Sequence, residues 1–109
     1  MLTCIIRYEI EPHARADFEA YARVWNEAIP DCGADLIGYY APHEGSATLA
    51  YGIYNIASLA DYEAYRARLR ADAQGQRNYA FAQERRFIRR EDRLFLRLAS
   101  APHAALVKP

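Results

Sequence analysis

The segment from residue 33 to residue 55 constrains the fold of this chain more than any other stretch. It contains two short apolar and aromatic runs, at 36–41 and 49–55, joined by a polar connector that includes Pro42 and Gly45. This pattern predicts a β-hairpin. Both alternating sets of side chains along each run are large or apolar, whereas a sheet with one face in water alternates apolar and polar residues. We therefore expect both faces of this hairpin to be covered.

The chain's size and charge limit the classes of function that it can serve. Its 109 residues carry no net charge and fit one domain of ordinary composition. Zero net charge disfavours a protein whose main task is to neutralise phosphates, so we expect no nucleic-acid partner. Nine tyrosines are present. Because tyrosine combines an apolar ring with a hydroxyl that needs a partner, this number favours a half-wet cavity or an interface.

The cysteines and the hydropathy pattern bear on the protein's location. Cys4 and Cys32 form neither a CxxC motif nor a metal-binding spacing, so we expect free thiols in a reducing cytosol. The sequence has no recognisable secretory signal, and no apolar stretch reaches about 18 residues. We therefore predict a cytoplasmic protein with no membrane partner.

Hydrophobic periodicity predicts the elements of the first half of the chain. Residues 2–10 are rich in β-branched and aromatic residues and predict the first strand. Pro12 is placed to begin a helix, whose apolar residues recur at three- and four-residue spacing as far as Ile29. The hairpin supplies the next two strands, and Ser58 is expected to cap a second helix.

The second half of the chain completes the predicted fold. We expect a short further helical piece at 77–85 and a fourth strand at 87–98, which gives one domain at 1–98 and a loosely held tail at 99–109. The resulting β-α-β-β-α-β order predicts a ferredoxin-like α+β fold. In that fold four antiparallel strands lie in the order 4-1-3-2, with the helices on one face.

Alternation along the strands predicts which side chains face the helices. A nearly all-apolar set is expected beneath them: Cys4, Ile6, Tyr8, Ile10, Leu36, Gly38, Tyr40, Leu49, Tyr51, Ile53, Leu94, Leu96 and Leu98. The opposite face is expected to carry a mixed set: Thr3, Ile5, Arg7, Glu9, Asp35, Ile37, Tyr39, Thr48, Ala50, Gly52, Tyr54, Arg93, Phe95 and Arg97. That mixture predicts a second sheet packed across it, enclosing a polar-aromatic cavity. One β-bulge would reverse the assignment downstream of it.

Three stretches resemble bacterial members of the NIPSNAP family, which belongs to the dimeric α+β barrel superfamily. They lie at 1–10, 32–45 and 62–70, and the Tyr-Ala-Pro-His-Glu-Gly connector is the most alike. The resemblance implies a homodimer of ferredoxin-like subunits that meet sheet to sheet. Superfamily relatives include cofactor-independent monooxygenases, haem-degrading enzymes and lactone isomerases, but no motif transfers any of these activities to this chain. We expect no cofactor.

The candidate ligand-binding residues are Arg7 and residues predicted near it. Arg7 lies in the middle of a central strand on the mixed face, where Arg93 or Arg97 of the fourth strand is expected to approach it. Such a cluster would hold a carboxylate or enolate oxygen, with Tyr39 and Tyr54 as cavity walls. The alternative is an ion pair of Arg7 with a nearby carboxylate or with the second subunit.

His43 and Glu44 form the second candidate, at the rim of the cavity. An imidazole beside a carboxylate could act as a general base, with Glu44 also contacting ligand. The alternative is a solvated turn shaped by Pro42 and Gly45. The pair is not part of an HExxH motif, and the three histidines are far apart in sequence, so no metal site is expected.

Three functions remain open from the sequence. The first is a non-catalytic homodimer that binds a small organic, possibly anionic, molecule. The second is a cofactor-independent monooxygenase- or isomerase-type enzyme acting on a small oxygenated compound, with His43 as base. The third, an RNA-binding module, is disfavoured because the 48–54 strand lacks the basic-glycine-aromatic run of RNA recognition motifs.

Overall fold

The computed structural model describes residues 1–103, which form one antiparallel sheet and three helices. The elements in chain order are β1 (Leu2–Ile10), α1 (Arg15–Asp31), β2 (Asp35–Tyr40), β3 (Leu49–Ile56), α2 (Leu59–Ala71), α3 (Ala73–Arg85) and β4 (Ile88–Leu96). The strand order is β2-β3-β1-β4. This confirms the predicted ferredoxin-like α+β fold and its 4-1-3-2 arrangement.

The tail was predicted from residue 99 onward, and only part of it can be compared. Residues 99–103 are exposed and lie in no helix or strand. Residues 104–109 lie outside the described residues. The domain limits at 1–98 therefore stay a prediction.

The helix boundaries follow from local hydrogen bonds. The Ser58 side chain accepts from the backbone N–H of Asp61 at 3.1 Å, which confirms the predicted cap of α2. Asp72 caps α3 in the same way, accepting from the N–H of Gly75 at 2.8 Å. As a result α3 begins earlier than the predicted 77–85 piece.

The prediction that Pro12 begins the first helix is wrong. The chain turns after β1, with the N–H of Ala14 donating to the carbonyl oxygen of Glu11. His13 lies in the turn with φ of +70°, so helical geometry starts only at Arg15. This turn brings α1 back across the sheet.

The predicted facing of the side chains is correct for β1 and for the start of β2, and wrong for the rest of β2, for β3 and for β4. Cys4, Ile6, Tyr8 and Ile10 are all buried beneath the helices. On β3 the register places Tyr54 and Gly52 beside Cys4 and Ile6, on the helix face. On β4 it places Arg93 and Phe95 there as well. Leu94 and Leu96, expected beneath the helices, face the other way and are about half exposed.

Two physical causes account for the reversals on β2 and β3. The β2–β3 register shifts between Leu36 and Gly38, and this bulge turns the ring of Tyr39 toward the helices and that of Tyr40 away. On β3 the buried position Gly52 is filled by a neighbour, since an added Cβ there would lie 2.7 Å from the Tyr39 ring. On β3, therefore, the helix face carries a glycine, and the Tyr39 ring from β2 fills the space above it. Hydropathy alone placed this set of β3 residues on the face away from the helices.

The face away from the helices, here called the open sheet face, carries a broad apolar surface. Four large side chains on its strands are 49–51% exposed: Ile37, Tyr40, Leu94 and Leu96. Arg7 lies on the same face, with Tyr51 and Asp92 as its register neighbours. The two faces of the sheet thus present different environments, a dense aromatic core under the helices and an uncovered apolar surface opposite.

Candidate functional site

A small cavity lies between the sheet and the helices, and we call it the tyrosine pocket. Its accessible volume is about 10 Å³, the space of roughly one water molecule. Six tyrosines line it: Tyr8, Tyr21, Tyr39, Tyr54, Tyr65 and Tyr79. Trp25, Arg66, Glu91 and Arg93 supply further polar atoms. The pocket therefore collects side chains from strands β1 to β4 and from all three helices.

The aromatic side chains hold one another in place. The hydroxyls of Tyr8 and Tyr39 lie 3.2 Å apart and form a hydrogen bond. Tyr21 packs edge-on against Trp25, with ring centroids 5.5 Å apart, and Tyr54 packs against Tyr65 at 5.3 Å. Such aromatic pairs add about 0.5–1.5 kcal/mol each beyond their buried area. The pocket wall is accordingly well packed.

Three buried polar atoms at this pocket make no hydrogen bond of standard geometry within residues 1–103, although a polar group lies near each: Tyr21 beside Trp25, and Cys4 beside Tyr54 and Arg93. The three atoms are the Trp25 Nε1, the Tyr54 hydroxyl and the Arg93 Nε. Each carries a hydrogen that it can donate. Leaving a buried donor unpaired costs about 1–3 kcal/mol, so the three donors around this pocket are unfavourable for the stability of the fold.

Arg93 brings a permanent positive charge to the pocket. Its Nη2 donates to the Glu91 Oε2 at 2.9 Å, since residues two apart on a strand share a face. Burial by itself lowers the pKa of Arg93, but Glu91, followed by the nearby Tyr62 and Tyr54, raises that pKa above its ordinary value. The Arg93–Glu91 pair thus contributes hydrogen-bonding groups but little net charge.

The buried tyrosines of the pocket are held neutral. Burial raises the pKa of Tyr8, Tyr21, Tyr39, Tyr54 and Tyr65 above the ordinary tyrosine value. Burial likewise raises the pKa of the neighbouring Cys4 thiol. These tyrosines therefore remain hydrogen-bond donors at neutral pH, and Cys4 is not a thiolate nucleophile.

The structure brings together three of the ligand-binding candidates and separates the others. Tyr39, Tyr54 and Arg93 all line the tyrosine pocket, although they lie beneath the helices and not on the predicted mixed face. Arg7 is exposed on the open sheet face, so the predicted cluster of Arg7 with Arg93 is wrong. The sheet itself separates the two guanidinium groups.

His43 and Glu44 lie away from the pocket. Both are exposed on the connector between β2 and β3, and neither lines the tyrosine pocket. In the same connector the Ser46 hydroxyl accepts from the N–H groups of Thr48 and Leu49, at 3.2 and 3.1 Å. The connector is thus organised as a turn, and His43 has no position from which to serve as a base in this pocket.

The sequence analysis missed seven polar or aromatic residues that line the pocket, including the helix tyrosines Tyr21, Tyr65 and Tyr79. Tyr8, Trp25, Arg66 and Glu91 fell within strand, helix or charged patterns that are typical of core or surface. For Trp25 a signal existed, because a fully buried indole requires a partner for its N–H. No comparable sequence signal identifies Arg66 or Glu91.

Two further searches of the described residues gave no site. Residues 1–103 contain no group of three histidine, cysteine, aspartate or glutamate side chains placed to hold a metal ion. No helix in this part of the chain combines the length and apolarity needed to cross a bilayer.

Comparison with known proteins identifies the family. The model of the NIPSNAP family matches residues 3–102, nearly the whole chain. The chain belongs to the NIPSNAP family. The match includes the connector and the strands that build the tyrosine pocket of this NIPSNAP protein. No significant match was found among curated proteins.

Solved structures agree on the fold. A protein from Agrobacterium tumefaciens superposes with a TM-score of 0.80 at 21% identity, covering 91% of this chain and 94% of its own. An uncharacterised NIPSNAP domain protein from Burkholderia xenovorans gives 0.73 at 23% identity, covering 94% and 100%. A proposed antibiotic biosynthesis monooxygenase from Nitrosomonas europaea gives 0.69 at 10% identity, covering 92% and 100%. At these identities the similarity concerns the fold.

Proposed function

We propose that this NIPSNAP protein binds a small oxygen-bearing organic molecule in the tyrosine pocket. The observation that carries the proposal is that three residues whose donors make no hydrogen bond of standard geometry in the described part of the chain, Trp25, Tyr54 and Arg93, line the same cavity. A carbonyl, enolate or carboxylate oxygen accepts from such donors and offsets the cost of burying them. Tyrosine rings on the pocket wall would pack against an aromatic or otherwise flat ligand.

The size of the pocket sets a condition on binding. A volume of about 10 Å³ holds no organic molecule, so a ligand must displace wall side chains. A wider recess of about 340 Å³ adjoins the pocket and shares Tyr21, Tyr79 and Glu91 with it. Tyr79 on α3 is half-buried, and its movement would join the two spaces. Binding therefore includes a side-chain rearrangement.

The chain offers a direct reporter of occupancy. Trp25 is the single tryptophan of the protein, and it lines the pocket with 2% of its surface exposed. Titration with benzoate, salicylate and 4-hydroxybenzoate is expected to change its emission in a saturable manner. Calorimetry on the same compounds gives affinities independent of the fluorophore.

A matched pair of variants on one strand tests the position of the site. Tyr54→Phe removes one of these three donors and is expected to weaken binding by about tenfold, or about 1.4 kcal/mol. Tyr51→Phe, on the same strand but on the open sheet face, is expected to leave the affinity unchanged. Equal affinities of the two variants, or no saturable binding of any compound to the wild type, would contradict the proposal.

A homodimer is the second part of the proposal. Four large apolar side chains, each about half exposed, lie on the open sheet face, and patches of this kind mark interaction surfaces. A second copy covering this face would bury them, as the sequence-based prediction required. The tyrosine pocket lies on the other face of the sheet, so each subunit would contain a complete site.

A cofactor-independent monooxygenase is a second candidate function. It is favoured by the similarity in fold to the Nitrosomonas europaea protein. In this reaction O₂ converts a CH₂ group of the substrate to a carbonyl: one oxygen atom enters the substrate, the other leaves as water with the two hydrogens of the CH₂ group, and the substrate supplies all four electrons. Because His43 is outside the pocket, Glu91 is the carboxylate placed to accept a proton. Oxygen uptake on addition of a compound that binds, and loss of that uptake in Glu91→Gln, would support the monooxygenase function. Binding of the compound without oxygen uptake would favour a binding protein.

A further inference from the structure

Arg66 on α2 occupies a distinctive position at the edge of the tyrosine pocket. Its side chain lines the pocket and also an outer recess of about 440 Å³, which it shares with Tyr62, Glu63 and Arg70. The Arg66 guanidinium carbon lies 6.0 Å from the centroid of the Tyr62 ring, which supports it in a cation–π contact. Arg66 therefore stands between the inner pocket and solvent.

Within residues 1–103 no carboxylate forms an ion pair with Arg66, although Glu63 lines the same outer recess. The ion pairs of this part of the chain involve other arginines, and the pocket carboxylate Glu91 is already bound to Arg93. The charged side chains that line the pocket are Arg66, Arg93 and Glu91, which leaves one net positive charge. The positive charge of Arg66 acts on the interior. Burial raises the pKa of the Cys4 thiol, and the charges of Arg93 and Arg66 both lower that pKa.

We infer that Arg66 selects the ligand by charge and that the tyrosine pocket takes small aromatic monocarboxylates. This inference rests on the proposed binding function. A half-buried guanidinium without a carboxylate partner gains most from an anion, because the surroundings are less polar than water. A single carboxylate balances the one excess charge. The same group accepts from the donors of Trp25, Tyr54 and Arg93 further in, and the ring packs among the tyrosines.

Two ligands of the same shape test this selection. Benzoate and benzamide differ in charge and share the aromatic ring, and calorimetry measures the affinity of each for the intact protein. For the wild type we expect benzoate to bind at least about tenfold more tightly than benzamide. Arg66→Gln is expected to weaken benzoate binding by about tenfold and to leave benzamide unchanged. Arg66→Lys keeps the charge and is expected to retain most of the preference for benzoate.

The control is Arg23→Gln, which removes the same charge from an exposed position on α1 outside the described pockets. It is expected to bind both compounds as the wild type does. Equal benzoate affinity in the wild type and in Arg66→Gln would overturn the selection by Arg66 and leave the proposed function standing. Equal loss of both compounds in Arg66→Gln would assign Arg66 a purely structural role. Failure of both compounds to bind the wild type would contradict the proposed function, and with it this inference.

Discussion

At the level of single residues, Tyr8 and Tyr54 illustrate two different roles for a buried tyrosine hydroxyl, one structural and one in binding. The Tyr8 hydroxyl bonds to that of Tyr39 at 3.2 Å, whereas the Tyr54 hydroxyl makes no hydrogen bond of standard geometry within residues 1–103. Both side chains are about 1% exposed. Burial is therefore the same for the two groups, and only their hydrogen bonding differs.

This difference in hydrogen bonding predicts different effects of Tyr8→Phe and Tyr54→Phe on the free energy of unfolding. Tyr8→Phe should lower the free energy of unfolding by about 1–3 kcal/mol, because it leaves the Tyr39 hydroxyl unpaired. Tyr54→Phe should change it by less than about 0.5 kcal/mol or raise it, because the lost hydroxyl makes no hydrogen bond of standard geometry among the described residues and its neighbour, the Cys4 thiol, is a weak partner. Urea unfolding followed by circular dichroism measures both values. A larger loss for Tyr54→Phe than for Tyr8→Phe would mean that Tyr54 serves packing or bonding within the fold.

At the level of elements, the junction between α2 and α3 depends on one side chain. Asp72 follows the last residue of α2 and caps α3 through the N–H of Gly75. Without this cap the backbone N–H of Gly75 in the first turn of α3 would lose its partner. Further along α3, the side-chain amide of Asn78 donates to the Tyr21 carbonyl oxygen at 2.9 Å. The Asp72 cap therefore stabilises the helix that contacts α1 at Tyr21, a residue of the tyrosine pocket.

Substitution of this cap has a calculable cost. Asp72→Ala should destabilise the protein by about 1 kcal/mol, and Asp72→Asn by only a few tenths, since asparagine is an equally good capping residue. Thermal unfolding at neutral pH measures the difference. Equal destabilisation by alanine and asparagine would mean that the charge of Asp72, and not its capping oxygen, stabilises the junction.

The elements also show how far the sequence predicts this protein. Periodicity predicted all four strands and α1 and α2, and the order of elements then predicted the topology. The length of α3 was underestimated because Gly75 and the polar residues around it interrupt the pattern. Tyr39, Tyr54 and Arg93 were predicted on one face and do share one, but it is the face beneath the helices. The bulge in β2 explains the error for Tyr39, and the buried Gly52, whose space the Tyr39 ring fills, explains it for Tyr54. Hydropathy cannot choose between two faces when both carry apolar residues.

At the scale of the whole molecule, the buried tyrosines limit stability in alkali. Five of them have a pKa raised by burial above the ordinary value of 10.0. Above that pH the unfolded chain releases these protons while the folded protein retains them, so stability is intact below about pH 10 and falls as the pH rises. Each such tyrosine contributes a slope of up to about 1.4 kcal/mol per pH unit.

We therefore expect alkaline unfolding to be steep and to coincide with tyrosine ionisation. Phenolate absorbance and circular dichroism, recorded together between neutral pH and strong alkali, should change at one midpoint for the buried tyrosines. Tyr54→Phe should make this unfolding less steep. Full tyrosine titration near pH 10 in a still-folded protein would contradict the expectation.

The open sheet face carries the last prediction, which concerns assembly. If a second copy covers this face, a charge placed in its apolar surface should separate the subunits, because an unpaired carboxylate is costly to bury. Light scattering should give the wild type twice the chain mass of 12.5 kDa and Leu94→Glu the mass of one chain. Leu59→Glu, at a similarly exposed position on α2, should remain dimeric. The tyrosine pocket lies within one subunit on the opposite face, so separated Leu94→Glu subunits should still bind benzoate; loss of binding on separation would place the site between subunits.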